Sequence, residues 1–139
     1  MLNDWPAAFA GAWNESVRET LANARVLVVD DLDIQLKRVE AILRQDGVDV
    51  VTARNGQEAL DLLGRERLDL VVVDAILPGV NGGELCREIR LNPRTKLLPI
   101  LVLAGMDESD SAGIGAGADE FIQKPYTPQA LRMRVHSML

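Results

Sequence analysis

Residues 26–31 read Val-Leu-Val-Val-Asp-Asp, and residues 70–74 read Leu-Val-Val-Val-Asp. Neither run alternates apolar with polar residues, as a strand with one wet face would. Each therefore predicts a strand covered on both faces, the habit of a parallel sheet. Successive parallel strands need a long crossover, usually a helix. The intervening sequence supplies one: Leu32, Leu36, Val39, Ile42 and Leu43 recur at helical spacing, and Asp46-Gly47 marks the stop.

The alternation continues along the chain. Residues 48–52 are strand-like, Asn55-Gly56 is a turn, and Ala59, Leu60, Leu62 and Leu63 stripe the next helix. Residues 68–74 form a third strand, and Leu85, Cys86, Ile89 and Leu91 belong to a third helix. Residues 99–105 and 120–123 are the fourth and fifth strands. Thr127 caps a last helix with Pro128 at its first position, carrying Leu131, Val135 and Met138 inward. Strands and helices in strict alternation predict an α/β domain, a parallel sheet with helices on both faces. A chain of 139 residues suffices for one such core.

The net charge of -6 and pI near 4.7 argue against a nucleic-acid surface, and no local basic patch offsets them. The lone Cys86 cannot form an internal disulfide, and the first basic residue is Arg18, too late for the charged start of a secretory signal. No apolar run approaches the roughly 20 residues needed to cross a bilayer. The expectation is a soluble cytoplasmic protein with no membrane contact.

In open sheets of this kind, sites form beyond the carboxyl ends of the strands. Asp30 and Asp31 end the first strand, Asp74 ends the third and Lys124 follows the fifth, so all four should gather at one edge. Three clustered carboxylates repel unless protonated or joined by a cation. An all-oxygen set with few protein ligands suits Mg2+, which keeps several waters and bridges to phosphoryl oxygens. With Lys124 as a further positive charge, these are the parts of a phosphoryl-transfer site with an aspartate nucleophile.

The motifs VLVVDD (26–31), VVVDAILPGVNG (71–82) and GADEFIQKP (117–125) resemble the receiver domain of bacterial two-component response regulators, over about residues 25–139. The resemblance implies a flavodoxin-like, doubly wound sheet of five strands in the order 2-1-3-4-5. It implies a phospho-acceptor domain in a phosphorelay, not an enzyme with turnover, that takes a phosphoryl group on Asp74 from a histidine kinase or histidine phosphotransfer protein. It further implies Mg2+ held by Asp31, Asp74 and the backbone carbonyl of Ile76, with Asp30 acting through water. Lys124 would pair with the phosphoryl oxygens, and Lys124-Pro125 would be cis. The only histidine, His136, lies on the last helix away from the acids and reads as surface or packing, so the donor must come from elsewhere. Cys86 reads as a buried thiol.

Three features depart from that family's pattern. Ala104 stands where the family carries Thr or Ser, so the hydroxyl that reports phosphorylation is missing, although Phe121 keeps the aromatic position. Residues 106–120 should hold the fourth helix, yet Gly113, Gly115 and Gly117 each weaken a helix by about 1 kcal/mol, which predicts a short or frayed one. Ile76 and Met106 stand at positions that in that family border the path of the hydrolytic water, and both are apolar, so the resemblance implies a long-lived phosphoryl group.

Residues 1–24 precede this domain as an extension in which Trp5, Phe9, Trp13, Val17 and Leu21 recur every fourth residue, an amphipathic helix with an aromatic stripe. The stripe packs either on its own domain or in a dimer. The fourth helix with the fifth strand and last helix offers a second dimer face. Two rival functions stand beside signalling: a receiver-like interaction scaffold that does not switch, favoured by Ala104, and a phosphohydrolase of the haloacid-dehalogenase type, disfavoured because Ile76 stands where such enzymes want an acid.

Overall fold

The computed structural model describes residues 19, 21–105 and 117–139. The elements follow in the order β1 (Arg25–Val29), α1 (Asp33–Arg44), β2 (Asp49–Ala53), α2 (Gly56–Arg65), β3 (Leu70–Asp74), α3 (Gly82–Leu91), β4 (Ile100–Ala104), β5 (Glu120–Gln123) and α4 (Pro128–Met138). All four strand pairings are parallel, and the sheet order is β2-β1-β3-β4-β5, as expected.

Because side chains alternate across a strand, the unbroken apolar runs feed two cores. Val26, Val28, Leu70 and Val72 face Leu36, Val39 and Leu43 of α1 and Leu131 and Val135 of α4. Leu27, Val29, Val71 and Val73 face Ala59 and Leu63 of α2 and Leu85, Cys86 and Ile89 of α3. Helices therefore cover both faces.

Local chemistry sets the helix starts. Asn55 accepts the backbone N–H of Glu58 at 2.8 Å, Asn81 that of Glu84 at 2.9 Å, and the Thr127 hydroxyl that of Ala130 at 3.1 Å. Each satisfies a first-turn donor that the helix cannot. After α1, Gly47 takes φ +84°, the left-handed turn that a helix end favours. Leu32 departs from its expected place in the stripe of α1. It is the N-cap residue and 51% exposed, because its N–H is held by the Asp30 side chain rather than by a helical turn. Leu91 closes α3 but points to solvent.

Long polar side chains join the parts. Arg90 on α3 donates to the carbonyls of Gly117, Lys96 and Leu98 and to the carboxylate of Asp119, tying the start of β5 to the approach to β4. On the other face Arg132 of α4 grips Asp46, just beyond α1, through two bonds of 2.9 and 2.7 Å. At the edge where strands begin, Asn23, Ala24, Asp69, Pro99, Met138 and Leu139 line a hollow of about 310 Å3. Of the N-terminal stripe, Leu21 is buried in the core against α1 and α4. Trp5, Phe9, Trp13 and Val17 lie outside the described residues, as do Met106, Gly113, Gly115 and most of the expected fourth helix. Among the described residues no helix is long and apolar enough to cross a membrane.

Candidate functional site

Val29 pairs with Val73 in the sheet, so Asp30 and Asp31 leave β1 beside Asp74, the last residue of β3. One carboxylate oxygen from each lies within 4.8 Å of the others. Asp30 and Asp74 are buried, whereas Asp31 is open to solvent. Lys124 enters from beyond β5: its backbone N–H is held by the Ala104 carbonyl at 2.7 Å, and its ammonium donates to Asp74 Oδ1 at 2.9 Å. The Lys124-Pro125 peptide is cis. The four side chains read from the sequence thus meet at one edge.

Their charges are unequally placed. Burial pushes the Asp30 carboxyl up from its ordinary 3.8 to about 6, opposed by the Leu32 N–H at 2.9 Å and reinforced by the negative charge of Asp74. A raised carboxyl pKa means the folded chain binds this proton more tightly than the unfolded chain. Its contribution to stability is complete below about pH 4 and lost as pH rises through about 6. In metal-free protein at pH 7, Asp30→Asn is therefore expected to raise the unfolding free energy by about 2 kcal/mol. The Asn carbonyl can still accept the Leu32 N–H. Urea titrations of both proteins should show the gap closing by pH 4; an Asn variant less stable than the parent at pH 7 would contradict the assignment.

The loop after Asp74 is built to fit closely. Gly79 adopts φ +73°, a left-handed turn conformation that glycine reaches without strain. Gly82, which the sequence reading passed over, opens α3 so near the end of β3 that a Cβ there would lie 2.6 Å from the Asp74 carbonyl oxygen. Gly56 admits Val80 in the same way, with a Cβ position 2.7 Å from the valine's own. Asn55-Gly56, expected as a turn, is instead the N-cap and first residue of α2, and Gly82 likewise opens α3, so both glycines stand in a helix's first turn. Ile76 holds its side chain 56% exposed above the site, and its N–H faces Asp74 Oδ1 at 3.5 Å.

Ala104 is buried at the end of β4 and offers only a methyl group. Phe121 is half-buried and packs on the core side that faces α2 and α3. Cys86 is fully buried, and burial pushes its thiol up to about 11, as suits an inert core cysteine. His136 is half-buried on α4. Gln35, not singled out from the sequence, stands in the first turn of α1 with its side-chain oxygen 3.5 Å from the Lys124 ammonium. The acid cluster presents oxygen donors only, two of them buried beside one another, and so fits a hard divalent cation such as Mg2+.

Comparison with known proteins agrees with this fold. Residues 26–136 match the response regulator receiver domain family. Over 119 residues the chain is 36% identical to the alkaline phosphatase synthesis transcriptional regulatory protein PhoP of Bacillus subtilis, covering 84% of this chain and 49% of that one. It spans about half or less of the length of the curated relatives that it matches. The chemotaxis response regulator CheY4 of Vibrio cholerae superposes with a TM-score of 0.77 at 31% identity, over 84% of this chain and 98% of that one. The receiver domain of the sensor histidine kinase PA1611 from Pseudomonas aeruginosa PAO1, whose structure has a magnesium ion coordinated in the active site cleft, superposes at 0.75 with 27% identity, over 82% and 94% of the two chains. The chain belongs to the response regulator receiver domain family.

Proposed function

We propose that Asp74 accepts a phosphoryl group from a phosphohistidine on a partner kinase or phosphotransfer protein, and that the chain acts in the cytoplasm as a phosphorylation-controlled signalling domain rather than as a turnover enzyme. The observation that carries this reading is the Lys124 ammonium at 2.9 Å from a buried aspartate flanked by two further carboxylates. In the transfer, a carboxylate oxygen of Asp74 bonds to phosphorus as the bond from phosphorus to imidazole nitrogen breaks. That nitrogen keeps the electron pair. Lys124 then pairs with a phosphoryl oxygen instead of the bare carboxylate, balancing charge that would otherwise develop unpaired. Asp31, Asp74 and the Ile76 carbonyl would hold Mg2+, with Asp30 reaching it through water; when bound, the cation neutralises the crowded oxygens of both partners.

Incubation with Mg2+ and acetyl phosphate is expected to add one phosphoryl group by mass, and Asp74→Asn is expected to add none. The label should survive for minutes in purified protein, because the exposed side chain of Ile76 offers no group to orient water. Absence of label under these conditions would remove the reading. The scaffold alternative is favoured by one observation, the buried methyl of Ala104 where a reporting hydroxyl would stand. It predicts a label on Asp74 that alters neither oligomeric state nor partner binding.

A further inference from the structure

We infer that Gln35 is a positioning residue for Lys124, holding the ammonium beside Asp74 and following it onto the phosphoryl group; this rests on the phosphoryl-acceptor reading of Asp74. Lys124 Nζ lies 2.9 Å from Asp74 Oδ1 and 3.5 Å from Gln35 Oε1, so the amide and the acid are separated by a single ammonium group. An ammonium can only donate, which fixes the amide with its oxygen toward Lys124 and its NH2 turned elsewhere. Gln35 is half-buried in the first turn of α1, on the side of the sheet that α1 shares with α4, whereas Ala104 closes β4.

The pairing suits a site short of donors. Ala104 gives no hydrogen bond to a phosphoryl oxygen, which leaves more of the burden on Lys124 and on whatever holds it. A neutral amide does this without competing. It accepts one ammonium proton and does not neutralise the charge that the phosphoryl group needs. A carboxylate at position 35 would instead draw the ammonium away from Asp74 by opposite charge. A residue with no polar atom would take this acceptor from the ammonium.

The test compares Gln35→Met, of nearly the same length, and Gln35→Glu with the parent chain, in full-length protein with Mg2+. Gln57→Met serves as a control, since Gln57 is exposed on α2 and its amide donates to Asp61 one turn on. Labelling by acetyl phosphate is expected to slow roughly three- to tenfold in Gln35→Met, the size of one lost hydrogen bond, and more than about tenfold in Gln35→Glu, where charge competes. Thermal midpoints should stay with the control. With beryllofluoride as a phosphoryl mimic, 19F NMR should show one of the bound fluorine resonances displaced in both variants, the others unmoved. Parent-like rates and an unchanged 19F spectrum in both variants would overturn the inference while leaving Asp74 as acceptor. A parent chain that takes neither label nor beryllofluoride would instead overturn the acceptor reading itself. A fall in rate accompanied by an equal fall in thermal midpoint, with no selective 19F shift, would mark Gln35 as structural only and also overturn the inference.

Discussion

Arg132→Met is expected to lower the unfolding free energy by about 3–5 kcal/mol, measured by urea denaturation at pH 7. Arg132 and Asp46 form a two-bond pair with side chains only 2% and 6% exposed, 86 residues apart in the chain. Removing the guanidinium strands a carboxylate between α1 and α4 where water cannot replace the lost donors. The surface pair Lys37–Asp33, with side chains 71% and 42% exposed, gives the contrast: Lys37→Met should change stability by less than about 1 kcal/mol. Replacing both buried partners, Asp46→Leu with Arg132→Met, should recover much of the loss, because the main cost is an unpaired charge rather than a missing attraction. An Arg132→Met variant within 1 kcal/mol of the parent would refute the stranded charge as the main cost.

Gly82→Ala is expected to destabilise by about 1–3 kcal/mol and to slow phosphoryl labelling of Asp74 at least tenfold. Its Cβ would sit 2.6 Å from the Asp74 carbonyl oxygen and 2.9 Å from that of Ala75, and both obstacles are backbone. No rotamer change relieves such a contact, so the start of α3 must back away from the end of β3 and carry the 75–81 loop with it. Gly64→Ala, near the end of α2 with nothing within 4 Å of its Cβ position, is the matched control and should stabilise by about 0.5–1 kcal/mol. Equal behaviour of the two variants in denaturation and in labelling would refute the tight fit.

The parts of this molecule that a reader of the sequence could find are those written in short periods or in residue type. Unbroken runs such as Val71–Val72–Val73 disclosed buried strands, and four ionic side chains at strand ends disclosed the candidate site, because topology alone brings strand ends together. What stayed hidden depends on distance in three dimensions. Asp46 read as part of a helix stop, and Gly47 does serve as one, but the bond from Asp46 to Arg132 has no local signature. Gln35 carries no signal in the sequence, because its neighbour Lys124 lies 89 residues away. Leu32 fitted a helical stripe by spacing, yet the Asp30 side chain captured its N–H and delayed the helix by one residue. Gly82 is similar: its need for a bare Cα arises from the backbone of β3, which neighbouring letters do not specify.

The hollow lined by Asn23 and Leu139 lies next to Asp69 and Pro99, residues that lead into β3 and β4, and hence a full strand length of roughly 16 Å from the acids. Fluorophores, surface linkers or fused polypeptides attached at Leu139 would therefore depart from the rear of the domain. A kinase could cover Asp74 without brushing against them, and such an attachment would learn of events at Asp74 only through the body of the sheet and its helices.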